Sequence, residues 1–180
     1  SLFTVYYVEQ LGDASIKEFV QMQAGGYPKK SWEAFDQMMT NYSTGMDHRD
    51  WLMNWFTANI LDDKTIDQKY GYDIWLPMRA RVTAKHLSGK VESTGNILKD
   101  YSANFISYDS STDSMEITFS ATSSGSPKFR SIEFNDSSVV VNNLSNGTKH
   151  LLYHDSLKVN QVMFVAASTE NRSITYNYVS

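Results

Sequence analysis

One run of the chain places a tryptophan and three cations at the spacing of a β-strand. The residues on odd positions include Trp75, Arg79, Arg81 and Lys85, and the residues between are apolar: Ile74, Leu76, Met78, Ala80, Val82 and Ala84. Because side chains alternate between the two faces of a strand, residues 74–85 predict one apolar face and one cationic face. Arginine makes two-point contacts with carboxylates, and tryptophan attracts cations. The candidate contact for a partner protein or an anion is therefore Trp75, Arg79, Arg81 and Lys85.

Ordinary pairing within a sheet is the alternative for these cations. Cross-strand neighbours of opposite charge are common, and Glu116 and Glu133 both lie in strand-like runs. Pro77 cannot donate a hydrogen bond to a neighbouring strand, so it places the run at a sheet edge or at a bulge.

Two groups of polar residues could suggest a metal site but do not fit one. His150 and His154 are four residues apart in a strand-like run, which separates them by about 13 Å, too far to share an ion. Asp109–Asp113 has the acidic spacing of a calcium loop, but Ser114 and Ser120 occupy the positions that need glycine and glutamate. A turn, in which Asp and Ser bond nearby backbone, accounts for Asp109–Asp113 better.

The sequence contains no signature of catalysis. Nucleophile-elbow, zinc-protease, phosphate-loop and dinucleotide motifs do not occur. The chain has no cysteine, which excludes thiolate zinc sites, cysteine nucleophiles and disulfides. We therefore assign no catalytic residue, no metal ligand and no cofactor, and the sequence does not indicate an enzyme.

The length and net charge of the chain restrict the kinds of partner that it is expected to bind. The 180 residues suit one domain, here residues 1–180. The net charge is −4, with 16 basic against 20 acidic residues, so no basic surface for nucleic acid is expected. The chain contains no apolar run of the roughly 18 residues that a membrane span needs. The expected partners are other protein subunits, including further copies of this chain.

Helical spacing dominates residues 1–71. Helices are predicted over residues 13–24 behind a Ser15-x-x-Glu18 capping box, from Ser31 to Gly45, and from an Asp47 cap to Ile60. A last turn ends at Gly71. The large apolar residues Trp51, Trp55 and Phe56 are the predicted core of this part.

A period of two dominates residues 72–180. Besides residues 74–85, strands are predicted over residues 101–108, 115–122, 129–134, 138–144, 150–154, 157–167 and 172–179. The Asn146-Gly147 pair predicts a type I′ hairpin turn. Seven or eight strands at this spacing predict an antiparallel meander.

The fold expected from these elements is α+β, with N-terminal helices packed on a curved C-terminal antiparallel sheet. The order of the elements, with helices before strands, resembles the cone-shaped fold of the nuclear transport factor and ketosteroid isomerase families. Envelope scaffolds of type IV secretion systems also use that fold, and the resemblance lies in element order alone. A cone, a partial barrel and a sandwich all remain open.

The function expected is that of a non-enzymatic interaction or assembly module. An Asn/Ser/Thr/Tyr-rich sequence without cysteine favours an extracytoplasmic setting: the cell envelope, a secretion or conjugation machinery, or a viral or phage particle. The alternative is a small apolar ligand-binding protein with a cavity between helices and sheet.

Overall fold

The structure is a computed structural model that describes residues 2–24, 31–73, 80–86, 90–109, 114–136, 138–152 and 159–180. Within these ranges it contains four α-helices and two mainly antiparallel sheets, which confirms the α+β class. The chain divides into two compact units, Ser1–Arg79 and Ala80–Ser180. All described helices lie in the first unit and all described strands in the second. The expectation of one domain over residues 1–180 stays a prediction.

The first unit contains three predicted helices and one unexpected helix. In chain order the helices are α1 (Leu2–Leu11), α2 (Ala14–Ala24), α3 (Ser31–Asn41) and α4 (His48–Leu61), followed by a 3₁₀ turn at Gln68–Tyr70. The sequence did not predict α1, because its apolar residues surround the helix and include β-branched and aromatic types that mask helical spacing. No helix in the described part of the chain is long and apolar enough to span a membrane.

The starts of the helices follow local hydrogen bonding. The Asp47 carboxylate accepts hydrogen bonds of 2.9 Å from the backbone nitrogens of Arg49 and Asp50, which confirms it as the cap of α4. The predicted capping box of α2 is wrong. Ser15 is buried inside the first turn, and its hydroxyl donates to the Gly12 carbonyl at 2.6 Å. Gly12, with a φ of 85°, ends α1. Helix α2 therefore begins at Ala14, one residue before Ser15.

Aromatic rings form the core of the helical unit. Trp51 is 2% exposed, and its ring centroid lies 5.4 Å from Tyr6, 6.1 Å from Tyr7 and 5.9 Å from Phe35. All three contacts are edge-on, the arrangement that the ring quadrupoles favour. Of the predicted core residues, Trp51 and Phe56 are buried, whereas Trp55 is half-buried.

The segment after α4 returns to α1. The Tyr6 hydroxyl donates to the Lys69 carbonyl at 2.8 Å. Gly71 ends the predicted turn for a steric reason: a Cβ there would lie 2.7 Å from the backbone nitrogens of Asp63 and Lys64. No side chain fits at that distance, so the tight return depends on glycine.

The second unit contains nine strands within the described residues. They are β1 (Ala84–His86), β2 (Glu92–Leu98), β3 (Ser102–Asp109), β4 (Met115–Ala121), β5 (Lys128–Asn135), β6 (Val139–Leu144), β7 (Lys149–Leu152), β8 (Val159–Ser168) and β9 (Ile174–Val179). One sheet has the order β1-β3-β8-β5-β6, and the other has the order β2-β9-β4-β7.

The predicted meander is wrong, because the chain passes repeatedly between the two sheets. Only β5 and β6 are both consecutive in sequence and neighbours in a sheet. Inward residues of both sheets form one core, in which Phe119 of β4 stacks on Phe129 of β5 with ring centroids 4.7 Å apart. The sheets do not close into a barrel, and this unit is a two-layer sandwich.

The strand predicted over residues 74–85 is wrong over residues 80–83. These residues are not in a strand, β1 covers Ala84–His86, and residues 74–79 lie outside the described ranges. Two hydrogen bonds join Thr83 to Phe105 before β1 begins: the Thr83 nitrogen donates to the Phe105 carbonyl at 2.6 Å, and the Thr83 hydroxyl accepts from the Phe105 nitrogen at 3.1 Å. β1 then pairs with β3 in parallel, not antiparallel, orientation.

The predicted hairpin at Asn146-Gly147 is also wrong. Its flanking strands, β6 and β7, belong to different sheets. Gly147 has a φ of 72°, but Asn146 does not share the positive φ that a type I′ turn requires. The Asn146 side-chain oxygen instead accepts from the Ala121 nitrogen at 2.9 Å, so it extends the hydrogen bonding at the end of β4.

We expect Trp51→Ala to lower the free energy of unfolding by about 3–5 kcal/mol, because it removes the ring at the centre of the helical core. Chemical denaturation followed by circular dichroism measures this. Val20, which is 56% exposed on α2, is the control, and Val20→Ala is expected to change stability by less than about 0.5 kcal/mol. Equal effects of the two substitutions would contradict the core assignment.

Candidate functional site

The predicted cationic contact is only partly described. Trp75 and Arg79 lie outside the described residues, and Arg81 is exposed in a segment that is not a strand. Lys85 lies in β1, where its Nζ is 2.8 Å from Asp109 Oδ2. Because residues 80–83 are not extended in a sheet, the premise that one strand aligns all four residues fails. The contact of these residues with a partner stays a prediction.

The alternative partners that the sequence offered for the cations are engaged elsewhere. Glu116 pairs with Lys149, with Nζ and Oε2 2.6 Å apart. Glu133 is buried, and its carboxylate accepts hydrogen bonds from Ser131 at 3.1 Å and Asn142 at 2.8 Å. The partner of Lys85 is therefore neither of the two glutamates.

The outer face of the four-stranded sheet is a broad exposed surface. We call it the polar sheet face. The residues on it follow from the strand register, since they alternate with the inward core residues: Ile97 of β2, Thr175, Asn177 and Val179 of β9, Glu116, Thr118 and Ser120 of β4, and Lys149 and Leu151 of β7. Serine, threonine and asparagine occupy its centre.

Three large apolar side chains are exposed on the polar sheet face. Ile97 is 60% exposed, Leu151 58% and Val179 39%. Ile97 and Leu151 lie on the two edge strands, and Val179 lies on the inner strand β9. In the cross-strand pairing, Val179 is opposite Thr118, and Leu151 is opposite Glu116. The face therefore mixes apolar groups with short hydrogen-bonding side chains.

Local backbone features shape the β2 edge of this face. Gly95 has a φ of 68°, and the register between β2 and β9 shifts at this position. The Gly95 nitrogen donates to the Asn177 side-chain oxygen at 2.8 Å, so one residue of the face anchors the bulge. A bulge interrupts the free edge of a strand and makes it a poor template for a further strand.

A second polar cluster joins the two sheets at the β1 end of the sandwich. His86 Nε2 lies 2.6 Å from the Tyr178 hydroxyl, and its ring is 4.8 Å from that of Tyr108. The Tyr108 hydroxyl donates to Ser180 Oγ at 3.3 Å. Burial lowers the pKa of His86 and raises the pKa of Tyr108 to about 12. These groups bond one another inside the structure, so the cluster links β1 and β3 to β9 rather than forming a reactive site.

Sequence reasoning missed this histidine–tyrosine cluster. The available signal was the alternation of Ile174, Tyr176 and Tyr178, which places the tyrosines on the inner face. A buried tyrosine needs a hydrogen-bond partner. Nothing in the sequence pairs Tyr178 with His86, which is 92 positions away.

The remaining polar candidates have local partners. His48 Nδ1 lies 2.9 Å from Asp36 Oδ2, and its ring stacks on Trp32 with centroids 5.0 Å apart. His150 Nε2 accepts from the Ser145 nitrogen at 2.8 Å. His154 and residues 110–113 lie outside the described ranges. Among the residues that are described, no group of three or more His, Asp or Glu side chains could hold a metal ion.

Comparisons with known proteins assign no family. No family model matches the chain, and no curated protein matches it. Among solved structures it is similar to PliG, a periplasmic lysozyme inhibitor of g-type lysozyme from Salmonella Typhimurium. The similarity covers 55% of this chain and 100% of that chain, with 10% sequence identity and a TM-score of 0.35. A TM-score this low establishes neither a common fold nor a common function.

We expect the stability of the protein to fall as the pH drops from about 7.5 to about 5.5, in part through His86. Burial lowers the pKa of His86 in the folded state, so the unfolded chain, with a histidine pKa of about 6.5, binds the proton more readily as the pH falls, and acid favours unfolding. His86→Gln removes this titration. Thermal unfolding at both pH values should show a smaller loss for the variant, and an identical loss would contradict this role of His86.

Proposed function

We propose that this protein is a non-enzymatic interaction module that binds a protein partner through the polar sheet face. The observation that carries the proposal is the exposure of Ile97, Leu151 and Val179 among hydroxyl and amide side chains on one sheet surface. Such a surface combines apolar area with hydrogen-bonding groups, and protein interfaces contain both.

The energetics of this face favour protein binding. Burying a fully exposed apolar side chain of this size contributes about 1.5–3 kcal/mol. Ile97, Leu151 and Val179 are already partly buried, so each contributes a fraction of that when a partner covers it. The short side chains of Thr118, Ser120 and Asn177 lose little conformational entropy on binding and can donate or accept hydrogen bonds. The charges of Glu116 and Lys149 already neutralise each other, so a partner does not have to supply a counter-charge.

The partner is expected on the face of the sheet rather than at its edges. The bulge at Gly95 interrupts β2, and β7 has four residues in the described part of the chain. Short or interrupted edge strands protect against the addition of a further strand. The exposed face, in contrast, presents side chains from all four strands to a partner.

The setting that we propose is an extracytoplasmic or virion assembly, in which the partner is another subunit or a second copy of this chain. Support comes from the absence of cysteine and from the serine, threonine and asparagine on the polar sheet face. The cation contact of Trp75, Arg79, Arg81 and Lys85 is proposed as an additional charged contact. Both side chains of the Lys85–Asp109 pair are exposed. Replacing Asp109 by a partner's carboxylate as the partner of Lys85 therefore costs little free energy.

The double variant Ile97→Lys with Leu151→Lys tests the proposal. We expect it to weaken association at least about ten-fold, because a lysine that the partner covers must lose hydration. Lysine is tolerated on edge strands, and at position 151 it lies opposite Glu116, so the fold should be retained. Native mass spectrometry of the assembly from the natural source, and sedimentation over a concentration series, measure the association.

The matched control is Val20→Lys, since Val20 is 56% exposed, close to the 60% and 58% of Ile97 and Leu151, but lies on α2. It is expected to leave association unchanged. A folded double variant that associates as strongly as the unmodified chain would contradict the proposal. A protein that is monomeric in its natural source would contradict it as well.

A further inference from the structure

The helical unit contains a cavity of about 310 Å³ that the proposed interaction does not use. Three helices line it in pairs of residues: Phe3 and Tyr7 of α1, Ile16 and Phe19 of α2, and Trp32 and Phe35 of α3. The remaining lining residue is Thr4. Every described residue that lines the cavity belongs to a helix, whereas the sequence-based alternative placed a ligand cavity between helices and sheet.

Several rings that line the cavity also pack against other side chains of the helical unit. Phe3 packs edge-on against Trp55, with ring centroids 5.2 Å apart. Trp32 stacks on His48 at 5.0 Å. Tyr7 packs against Trp51 at 6.1 Å. Rings supported in this way cannot move inward without losing these contacts, so the cavity is formed before any ligand arrives.

Asp36 holds His48, the residue on which Trp32 of the cavity wall stacks. Its carboxylate accepts from the His48 backbone nitrogen at 2.6 Å and lies 2.9 Å from His48 Nδ1. These bonds fix the imidazole against which the indole of Trp32 stacks. The wall is thereby tied to the start of α4.

The lining is almost entirely apolar. None of the described side chains that line it carries a charge, and the Tyr7 hydroxyl donates to the Ser15 carbonyl at 3.4 Å. Burial raises the pKa of Tyr7, so the hydroxyl stays protonated and neutral. A polar or charged ligand would lose its hydration here without compensation, whereas an apolar ligand would not.

We propose that this cavity is a binding site for a small, uncharged, aromatic molecule. Its volume is about twice that of the ~150 Å³ apolar cavity that stays dry and binds benzene, which suits a ligand of two rings. Rings set around it can contact such a ligand edge-on or in offset stacking. The inference concerns the helical unit and does not depend on the proposed partner surface of the sandwich.

Fluorescence titration of the whole chain with the neutral two-ring probe 6-propionyl-2-(dimethylamino)naphthalene tests this site. The unmodified chain is expected to bind one probe molecule saturably, with enhanced emission. Ile16→Trp fills the cavity and should weaken the binding at least about ten-fold. The control is Val20→Trp on the same helix, which is exposed and absent from the lining, and it should bind the probe as the unmodified chain does.

Two results would overturn the proposal: a folded chain without saturable binding, or a folded Ile16→Trp variant that binds as well as the Val20→Trp variant. Nuclear Overhauser effects between the bound probe and the ring protons of Phe19 and Trp32 are measured on the unmodified chain, so the test stands even if Ile16→Trp does not fold. Their presence is expected, and their absence together with saturable binding would place the probe elsewhere and overturn the proposal.

Discussion

The ring stack between Phe119 and Phe129 is the contact on which the sandwich depends. These residues belong to different sheets, are both buried, and lie 4.7 Å apart between ring centroids. Because successive residues of a strand face opposite ways, Phe119 pointing inward requires Thr118 and Ser120 to point outward. Because β4 pairs with β7 and β9, the same alternation of inward and outward residues holds across these strands. The polar sheet face, and with it the proposed partner surface, is therefore a consequence of core packing.

The helical unit depends on aromatic contacts of a different kind. Edge-on packing of Tyr6, Tyr7 and Phe35 around Trp51 makes a rigid centre. The 310 Å³ cavity lies beside this cluster, since Tyr7 and Phe35 contact Trp51 and also line the cavity. The residues that form the core thus also form part of the cavity wall.

Much of the secondary structure could be predicted from the sequence, because the periods of 3.6 and 2 are visible in the apolar residues of α2 to α4 and of β3 to β9. The tertiary arrangement could not. Alternation shows that Phe119 and Tyr178 point inward but not which sheet each strand joins, so the meander and the hairpin at Asn146-Gly147 were wrong. The candidate cation contact rested on alternation through residues 80–83, which are not in a strand. The polar sheet face became visible only once the register between β4 and β9 was known.

Hydroxyl-radical footprinting of the chain, alone and within the assembly from its natural source, tests the central claim most directly. The account predicts that Ile97, Leu151 and Val179 are oxidised readily in the isolated chain and are protected several-fold in the assembly. Val20, which is similarly exposed on α2, should be oxidised equally in both states. Equal oxidation of the three sheet residues in both states, or their protection in the isolated chain, would contradict the claim that this face binds the partner.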